Sequence, residues 1–80
     1  MFSVYIIYSN SLDRYYVGHS SDVCVRLNQH NGGYSKYISK ASDWELRYTE
    51  QFPSREEAHK RELEIKRKKS RKYIEWLVRA

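Results

Sequence analysis

The sequence has almost no cysteine and no long apolar run, and both absences narrow the class of protein. Cys24 is the only cysteine, which excludes an intramolecular disulfide and a zinc site built from several cysteines. A lone thiol is typical of the reducing cytoplasm, where we expect the protein to reside. No apolar segment approaches the ~20 residues of a transmembrane helix, and the N-terminus does not resemble a signal peptide. We therefore expect no membrane association.

Length and charge limit the number of domains and the kinds of partner. The chain has 80 residues, which leave no room for a second hydrophobic core, so residues 1–80 are predicted to form a single domain. The formal net charge is +5, which favours DNA, RNA or an anionic membrane face as the partner. The alternative is that the excess of basic residues serves only solubility.

The N-terminal third predicts a hairpin followed by a helix. Residues Val4–Tyr8 and Tyr15–Gly18 are strand-like, and Asn10–Asp13 provides turn residues in a connection short enough for antiparallel pairing. Ser20–Asp22 supplies candidate caps for a helix to about residue 30, which Asn31-Gly32-Gly33 ends. Residues 34–41 fit either a short helix or an ordered loop.

A third strand is predicted over residues 44–52. Its alternation is imperfect, with Trp44, Leu46 and Tyr48 on the apolar side, and Pro53 ends it. This pattern indicates a half-buried strand.

Two further helices complete the predicted fold. Ser54 and Glu57 match a capping box, so one helix should extend to about Lys68. Ser70 can cap a last helix, whose apolar residues are Tyr73, Ile74, Leu77 and Val78. The order β-β-α-β-α-α predicts an α+β fold, with a small antiparallel three-stranded sheet flanked by helices.

Two polar residues of the first helix occupy positions that its period assigns to the buried side or its margin. Val23 and Leu27 mark that side, His30 follows Leu27 by three residues, and Arg26 precedes His30 by four. A guanidinium and an imidazole are therefore predicted side by side at the edge of the core. In the purely structural alternative, both lie at the helix rim and the Arg26 stem covers apolar surface.

Glu62 stands out in the same way on the second helix. It lies four residues after Ala58 and three before Ile65, which mark the inward side. An ionised carboxylate there needs a cation or strong hydrogen-bond donors, or its pKa will rise. A salt bridge to Lys66 or Arg61 would be the ordinary solution.

Tyrosine is abundant, with eight in the chain. Tyr5 and Tyr16 lie on adjacent hairpin strands, where packing is the commoner role, although a phenol beside a cation can lose its proton and act as a base. Gly18, at the end of the second strand, would let a substrate or another backbone approach closely.

Taken together, these residues resemble the GIY-YIG nuclease superfamily. Ser3-Val4-Tyr5 and Tyr16-Val17-Gly18 stand at the two signature tripeptides, with ten residues between their tyrosines. Arg26 follows Tyr16 by ten residues and His30 follows Arg26 by four, which is similar to the family's helix motif.

The C-terminal part of the resemblance centres on Glu62. The segment Arg61–Lys66 is similar to the surroundings of the family's metal-binding glutamate. The resemblance extends from about Phe2 to Leu77. It is closest to the short stand-alone bacterial members, which are similar to the N-terminal domain of the excision-repair nuclease, or excinuclease.

The resemblance implies a metal-dependent endonuclease that cuts phosphodiester bonds, with DNA favoured over RNA and one Mg²⁺ or Mn²⁺ as cofactor. Glu62 would hold the ion and Arg26 would bind the scissile phosphate. Tyr5 would be the general base, and Tyr16 would orient the water or phosphate or exchange roles with Tyr5. His30 would hydrogen-bond a tyrosine or relay the proton.

The chain departs from the family's pattern at three positions. Ser3 replaces a glycine, and His19 follows Gly18 where some relatives have a lysine that could help deprotonate a tyrosine. No asparagine follows Glu62, and Lys72 is the candidate to take its place. The DNA-binding domains that give some relatives their target choice are not visible, so structure-selective or loosely selective cutting is expected.

A dense basic cluster in the C-terminal third is predicted to contact the phosphate backbone of nucleic acid, and it consists of Lys66, Arg67, Lys68, Lys69 and Arg71. The alternative is an ordinary solvated helix face.

Two other functions also remain open: an inactive nucleic-acid-binding module on the same fold, and an interaction protein that docks through exposed aromatics. A homodimer would compensate for the small core.

Overall fold

The computed structural model describes residues 1–32 and 42–79, so residues 34–41, for which both a helix and a loop were considered, lie outside the described part. The elements follow the predicted order and confirm the α+β fold. They are β1 (Phe2–Ser9), β2 (Arg14–Ser20), α1 (Val23–Asn31), β3 (Trp44–Phe52), α2 (Arg55–Arg67) and α3 (Arg71–Arg79).

The three strands form an antiparallel sheet in the order β2-β1-β3. In the β1–β2 pair, Tyr5 lies opposite Gly18 and Ile7 lies opposite Tyr16. Directly opposed residues of an antiparallel pair share a face of the sheet, so these four residues lie on one face. Val4, paired with His19, lies on the other face.

Both faces of β1 are covered, which is why its central residues are apolar without alternation. On one face, α2 and α3 pack over β1 and β2 in a core of Val4, Ile6, Val17, Ala58, Ile65 and Leu77. On the other face, Val23 and Leu27 of α1 pack against a smaller cluster of Tyr5, Ile7 and Trp44. The predicted inward residues of the helices therefore serve two different faces of the sheet.

The expectation that Trp44, Leu46 and Tyr48 share one face is wrong. The β1–β3 register shifts between Ile6 and Ile7, so that Leu46 pairs with Ile7 and Tyr48 pairs with Ile6. Arg47 is the extra residue of this β-bulge, and it moves Tyr48 to the face covered by α2 and α3.

The helix starts have the side-chain caps that the sequence predicts. Asp22 Oδ1 accepts a hydrogen bond from the Val25 amide at 3.1 Å, and Ser54 Oγ accepts one from the Glu57 amide at 3.3 Å. Ser70 Oγ does the same for the Tyr73 amide at 3.2 Å. Among the helices in the described ranges, none has the length and apolar character needed to cross a membrane.

Candidate active site

Tyr5 and His30 form a buried hydrogen-bonded pair between the sheet and α1. Tyr5 Oη lies 2.9 Å from His30 Nε2, and each residue is 1% exposed. The pair depends on two elements that are distant in sequence, the central strand and the last turn of the helix. The helical period places His30 on the inward side, and the fold supplies its partner.

The end of α1 is fixed to β3 by Asn31, the residue after His30. Its Oδ1 accepts a hydrogen bond from the Trp44 amide at 2.7 Å, and its Nδ2 donates to the Trp44 carbonyl at 3.0 Å. A side-chain amide that replaces a strand partner in this way holds the helix end in register with the sheet. Asn31, which the sequence suggested only as a helix stop, therefore positions the His30 imidazole.

Gly18 provides the space in which the Tyr5 ring lies. A Cβ atom at Gly18 would be 2.7 Å from Tyr5 Oη, 2.8 Å from Tyr5 Cζ and 3.1 Å from Tyr16 Cε1. The phenol thus crosses β2 above the glycine. The expectation that Gly18 admits a substrate or another backbone is wrong for this structure, because the side chain of Tyr5 already fills the gap and Gly18 lies within β2.

Tyr16 completes an aromatic cluster with this pair. Its ring centroid is 6.4 Å from that of Tyr5 and 5.2 Å from that of His30, with an edge-on arrangement toward the imidazole. Arg26 is exposed on α1, where its guanidinium donates to Gln29 Oε1 at 3.2 Å and also interacts with the Tyr5 phenol. The structure therefore brings together Tyr5, Tyr16, Arg26 and His30.

The two buried groups of this cluster are both neutral at pH 7. Burial raises the pKa of Tyr5 to about 12, and the hydrogen bond from Arg26 opposes that rise. Burial, followed by the charge of Arg26, lowers the pKa of His30 to about 4. His30 Nδ1 is buried and has no hydrogen-bond partner within residues 1–32 and 42–79, which also disfavours an imidazolium. Without a bound cation, Tyr5 therefore keeps its proton.

Glu62 lies on the opposite face of the sheet as a buried carboxylate with two donors. Its Oε1 is 2.6 Å from His19 Nδ1, its Oε2 is 2.6 Å from Lys66 Nζ, and the residue is 8% exposed. Burial favours a higher pKa for Glu62, but the hydrogen bonds from Lys66 and His19 outweigh it and hold the pKa below its ordinary value. The sequence suggests Lys66 or Arg61 as the salt-bridge partner of Glu62, and in the structure the partner is Lys66. Arg61 instead pairs with Glu50.

Lys66 connects Glu62 to the tyrosine cluster around the edge of β2. Its Nζ is 5.7 Å from the centroid of the Tyr16 ring while it contacts Glu62. Within the described part of the chain, β2 is an outer strand, so side chains from both faces can meet at its edge. Glu62 is near enough to raise the pKa of Tyr5 by its charge. The two halves of the site therefore interact electrostatically.

His19 lies beside Glu62, away from the tyrosines. The register places its side chain on the face opposite Tyr5, so the geometry does not favour for His19 the help in deprotonating a tyrosine that the lysine of some relatives could give. Its ring is 5.0 Å from that of His59, one helical turn before Glu62. Sequence reasoning missed His59, although its i, i+3 spacing to Glu62 was a readable signal.

All five members of the predicted basic cluster, Lys66, Arg67, Lys68, Lys69 and Arg71, are exposed. Lys66 contacts Glu62, and Arg71 contacts Asp13 and Glu75. Lys68 Nζ lies 5.4 Å from the centroid of the Tyr73 ring. Lys72 is exposed on α3, and the structure does not place it among the residues that line the groove described next.

A surface groove of about 780 Å³ lies between β2 and the two C-terminal helices. Tyr16 and Val17 of β2 and Ile65 of α2 are among its lining residues, as is the acidic Asp13. Its basic lining residues are Arg14, Lys66, Lys69 and Arg71. A polyanionic chain in this groove would lie against both the basic side chains and Tyr16.

The fold and the site together identify the class of protein. The GIY-YIG catalytic domain family matches residues 1–74, and the chain belongs to this family. The family is one of nucleases, which act on nucleic acid and generally depend on a divalent metal ion.

The chain is also similar to individual proteins, one known by its sequence and one by its solved structure. The chain is 40% identical over 67 residues to a UPF0213 protein of Halobacterium salinarum, covering 82% of this chain and 86% of the relative. It is also similar to the solution NMR structure of a UPF0213 protein from Bacillus halodurans, with a TM-score of 0.59 and 36% identity. That match covers 98% of this chain and 83% of the other. Within the GIY-YIG family, the chain is thus similar to UPF0213 proteins.

Proposed function

We propose that this chain is a metal-dependent endonuclease that hydrolyses phosphodiester bonds, in DNA rather than RNA, with structure-selective or low sequence specificity. The observation that carries the proposal is the buried Tyr5–His30 pair, which lies next to Arg26 and within electrostatic range of an ionised Glu62. Packing alone does not require a buried imidazole, a buried carboxylate and a guanidinium around one phenol.

Glu62 is the proposed anchor for a Mg²⁺ or Mn²⁺ ion. The chemistry of the donor fits, because hard divalent ions prefer oxygen ligands, and this carboxylate is ionised and reaches the edge of β2. A bound ion supplies positive charge beside the phosphate. The amine of Lys66, which is 47% exposed, can move away from Glu62 into solvent.

Tyr5 is the proposed general base, and its neighbours prepare it for that role. Tyr5 Oη and His30 Nε2 share a hydrogen bond of 2.9 Å, which orients Oη. Arg26 lowers the pKa of Tyr5 against the effect of burial, and it is exposed, so its guanidinium can bind the scissile phosphate. Tyr16 orients the water or the phosphate.

The raised pKa of Tyr5 predicts an alkaline activity optimum. The phenol must lose its proton before it can accept one from water, and the pKa of about 12 means that the ionised fraction grows with pH through the neutral range. We expect the single-turnover cleavage rate to rise with each pH unit between pH 7 and 9. A flat profile over that interval would show that Tyr5 ionisation does not limit the reaction.

A cleavage panel tests the nuclease proposal itself. Branched, single-stranded and duplex DNA and RNA are incubated with the protein and Mg²⁺ or Mn²⁺, and binding is measured on the same substrates. We expect cutting of DNA, with branched or single-stranded forms included. Binding without any cutting would instead support an inactive nucleic-acid-binding module, and Glu62→Ala would then leave nucleic-acid binding unchanged.

A further inference from the structure

We propose that His19, His59 and Glu62 form a three-ligand site for a borderline transition-metal ion such as Zn²⁺ or Co²⁺. One nitrogen from each imidazole and one oxygen of the carboxylate all lie within 4.8 Å of one another. This inference deepens the proposed function, on which its catalytic relevance rests, by naming the class of ion that the site takes.

The three side chains converge because two elements present them to the same point. His59 and Glu62 are three residues apart on α2 and so lie on the same side of the helix. His19 projects from β2 toward that helix, on the face of the sheet that α2 covers. Its contact with Glu62 at 2.6 Å and with the His59 ring at 5.0 Å fixes the three groups as one cluster.

The three proposed ligands differ in their exposure to solvent. Glu62 is buried, His19 is half-buried and His59 is exposed. The carboxylate therefore has a fixed position, while the outer imidazole is free to rotate. Metal–nitrogen bonds of about 2.1 Å place two ligands of a tetrahedral ion about 3.4 Å apart. The three donor atoms lie within 4.8 Å of one another, and the exposed side chain of His59 can rotate to adjust its distance to an ion.

Two nitrogen donors decide the kind of ion. Imidazole nitrogen suits zinc, copper, iron and nickel, whereas Mg²⁺ prefers oxygen ligands and keeps its waters. A site with two histidines and one carboxylate leaves further coordination positions open to water or to a phosphate oxygen. Glu62 alone would show little preference for transition ions, so the two histidines make a distinguishable prediction.

Isothermal titration calorimetry of the full chain without nucleic acid tests the site directly. We expect one Zn²⁺ per chain, bound at least about tenfold more tightly than Mg²⁺. His59→Ala should weaken Zn²⁺ binding at least about tenfold and leave Mg²⁺ binding unchanged, because it removes one of the two nitrogen ligands. Because His59 is exposed, this variant should fold like the wild type, which circular dichroism checks.

Lys60→Ala is the matched control, since Lys60 is the exposed neighbour of His59 on α2. Removing its positive charge cannot weaken cation binding. The proposal is overturned if the wild type binds no Zn²⁺, or if His59→Ala binds Zn²⁺ as tightly as Lys60→Ala does. Zn²⁺ binding that depends on His59, in a protein that cuts no substrate, would remove the nuclease proposal and leave the metal site standing. If instead the protein cuts DNA with a metal ion but His59→Ala does not change Zn²⁺ affinity, the three-ligand site is refuted and the nuclease proposal stands.

Discussion

Gly18→Ala is the substitution that probes the geometry of the site most sharply. The added Cβ would lie 2.7 Å from Tyr5 Oη and 2.8 Å from Tyr5 Cζ, distances that real Cβ atoms essentially never show. Tyr5 is 1% exposed in the central strand and cannot swing into solvent. The ring must therefore move within the core, and its hydrogen bond to His30 must stretch or break.

Two terms set the magnitude of this effect. Forcing extra volume into a packed site costs about 1–3 kcal/mol, and losing the buried Tyr5–His30 hydrogen bond adds about 1 kcal/mol. We expect the free energy of unfolding to fall by about 2–4 kcal/mol. For a protein this small the urea m-value is about 1 kcal/mol per M, so the unfolding midpoint should move by about 2 M or more.

Urea unfolding of four chains gives the coupling between the two residues: the wild type, Gly18→Ala, Tyr5→Leu and the double variant. Leucine at position 5 has no Cζ or Oη, so Gly18→Ala should cost less than about 1 kcal/mol in that background. Gly32→Ala is the control glycine, because Gly32 is exposed at the end of α1 with φ −82°, which alanine adopts. An equal cost of Gly18→Ala in both backgrounds would refute the reasoning.

Two further predictions concern acid stability and nucleic-acid binding. Because burial lowers the pKa of His30 from 6.5 to about 4, the unfolded chain binds more protons in that range, and the free energy of unfolding should fall by about 3 kcal/mol as the pH drops through it. Urea titrations at pH 7 and 4 should show that His30→Gln removes most of this fall, and an undiminished fall would place its origin elsewhere. Charge reversal of the exposed Lys68 and Lys69 should weaken DNA binding and reduce the slope of log affinity against log salt by about 2. An unchanged slope would show that the two lysines do not contact DNA and belong to an ordinary solvated helix face.

Local signals in the sequence were sufficient for most of the fold. Pro53 and Ser54 separate β3 from α2, and the structure confirms both boundaries there. The bulge at Arg47 was not predictable, because an extra residue in one strand shows itself only against the partner strand. The alternation of Trp44, Leu46 and Tyr48 continues through the bulge without a break, so it predicts a single half-buried strand.

The features of the candidate site that depend on local sequence could be predicted, and those that depend on long-range pairing could not. The helical period places His30 and Glu62 on inward sides, where the structure has them buried. Their partners depend on strand register, which sequence spacing does not reveal. For this reason the sequence predicts at Gly18 only a close approach by a substrate or backbone, and for His19 only a comparison with a lysine that acts on a tyrosine. The register instead places Gly18 under Tyr5 and His19 against Glu62.

The most direct test of the central claim compares two tyrosines of the same strand. Tyr5→Phe removes the hydroxyl that pairs with His30, and Tyr8→Phe removes one that donates to Asp13 at 2.6 Å on the other face of the sheet. In single-turnover cleavage of DNA with Mn²⁺, we predict that Tyr5→Phe lowers the rate about 10²–10⁴-fold and that Tyr8→Phe changes it less than about threefold. Wild-type cleavage that survives unchanged in Tyr5→Phe would contradict the assignment of Tyr5 as the base.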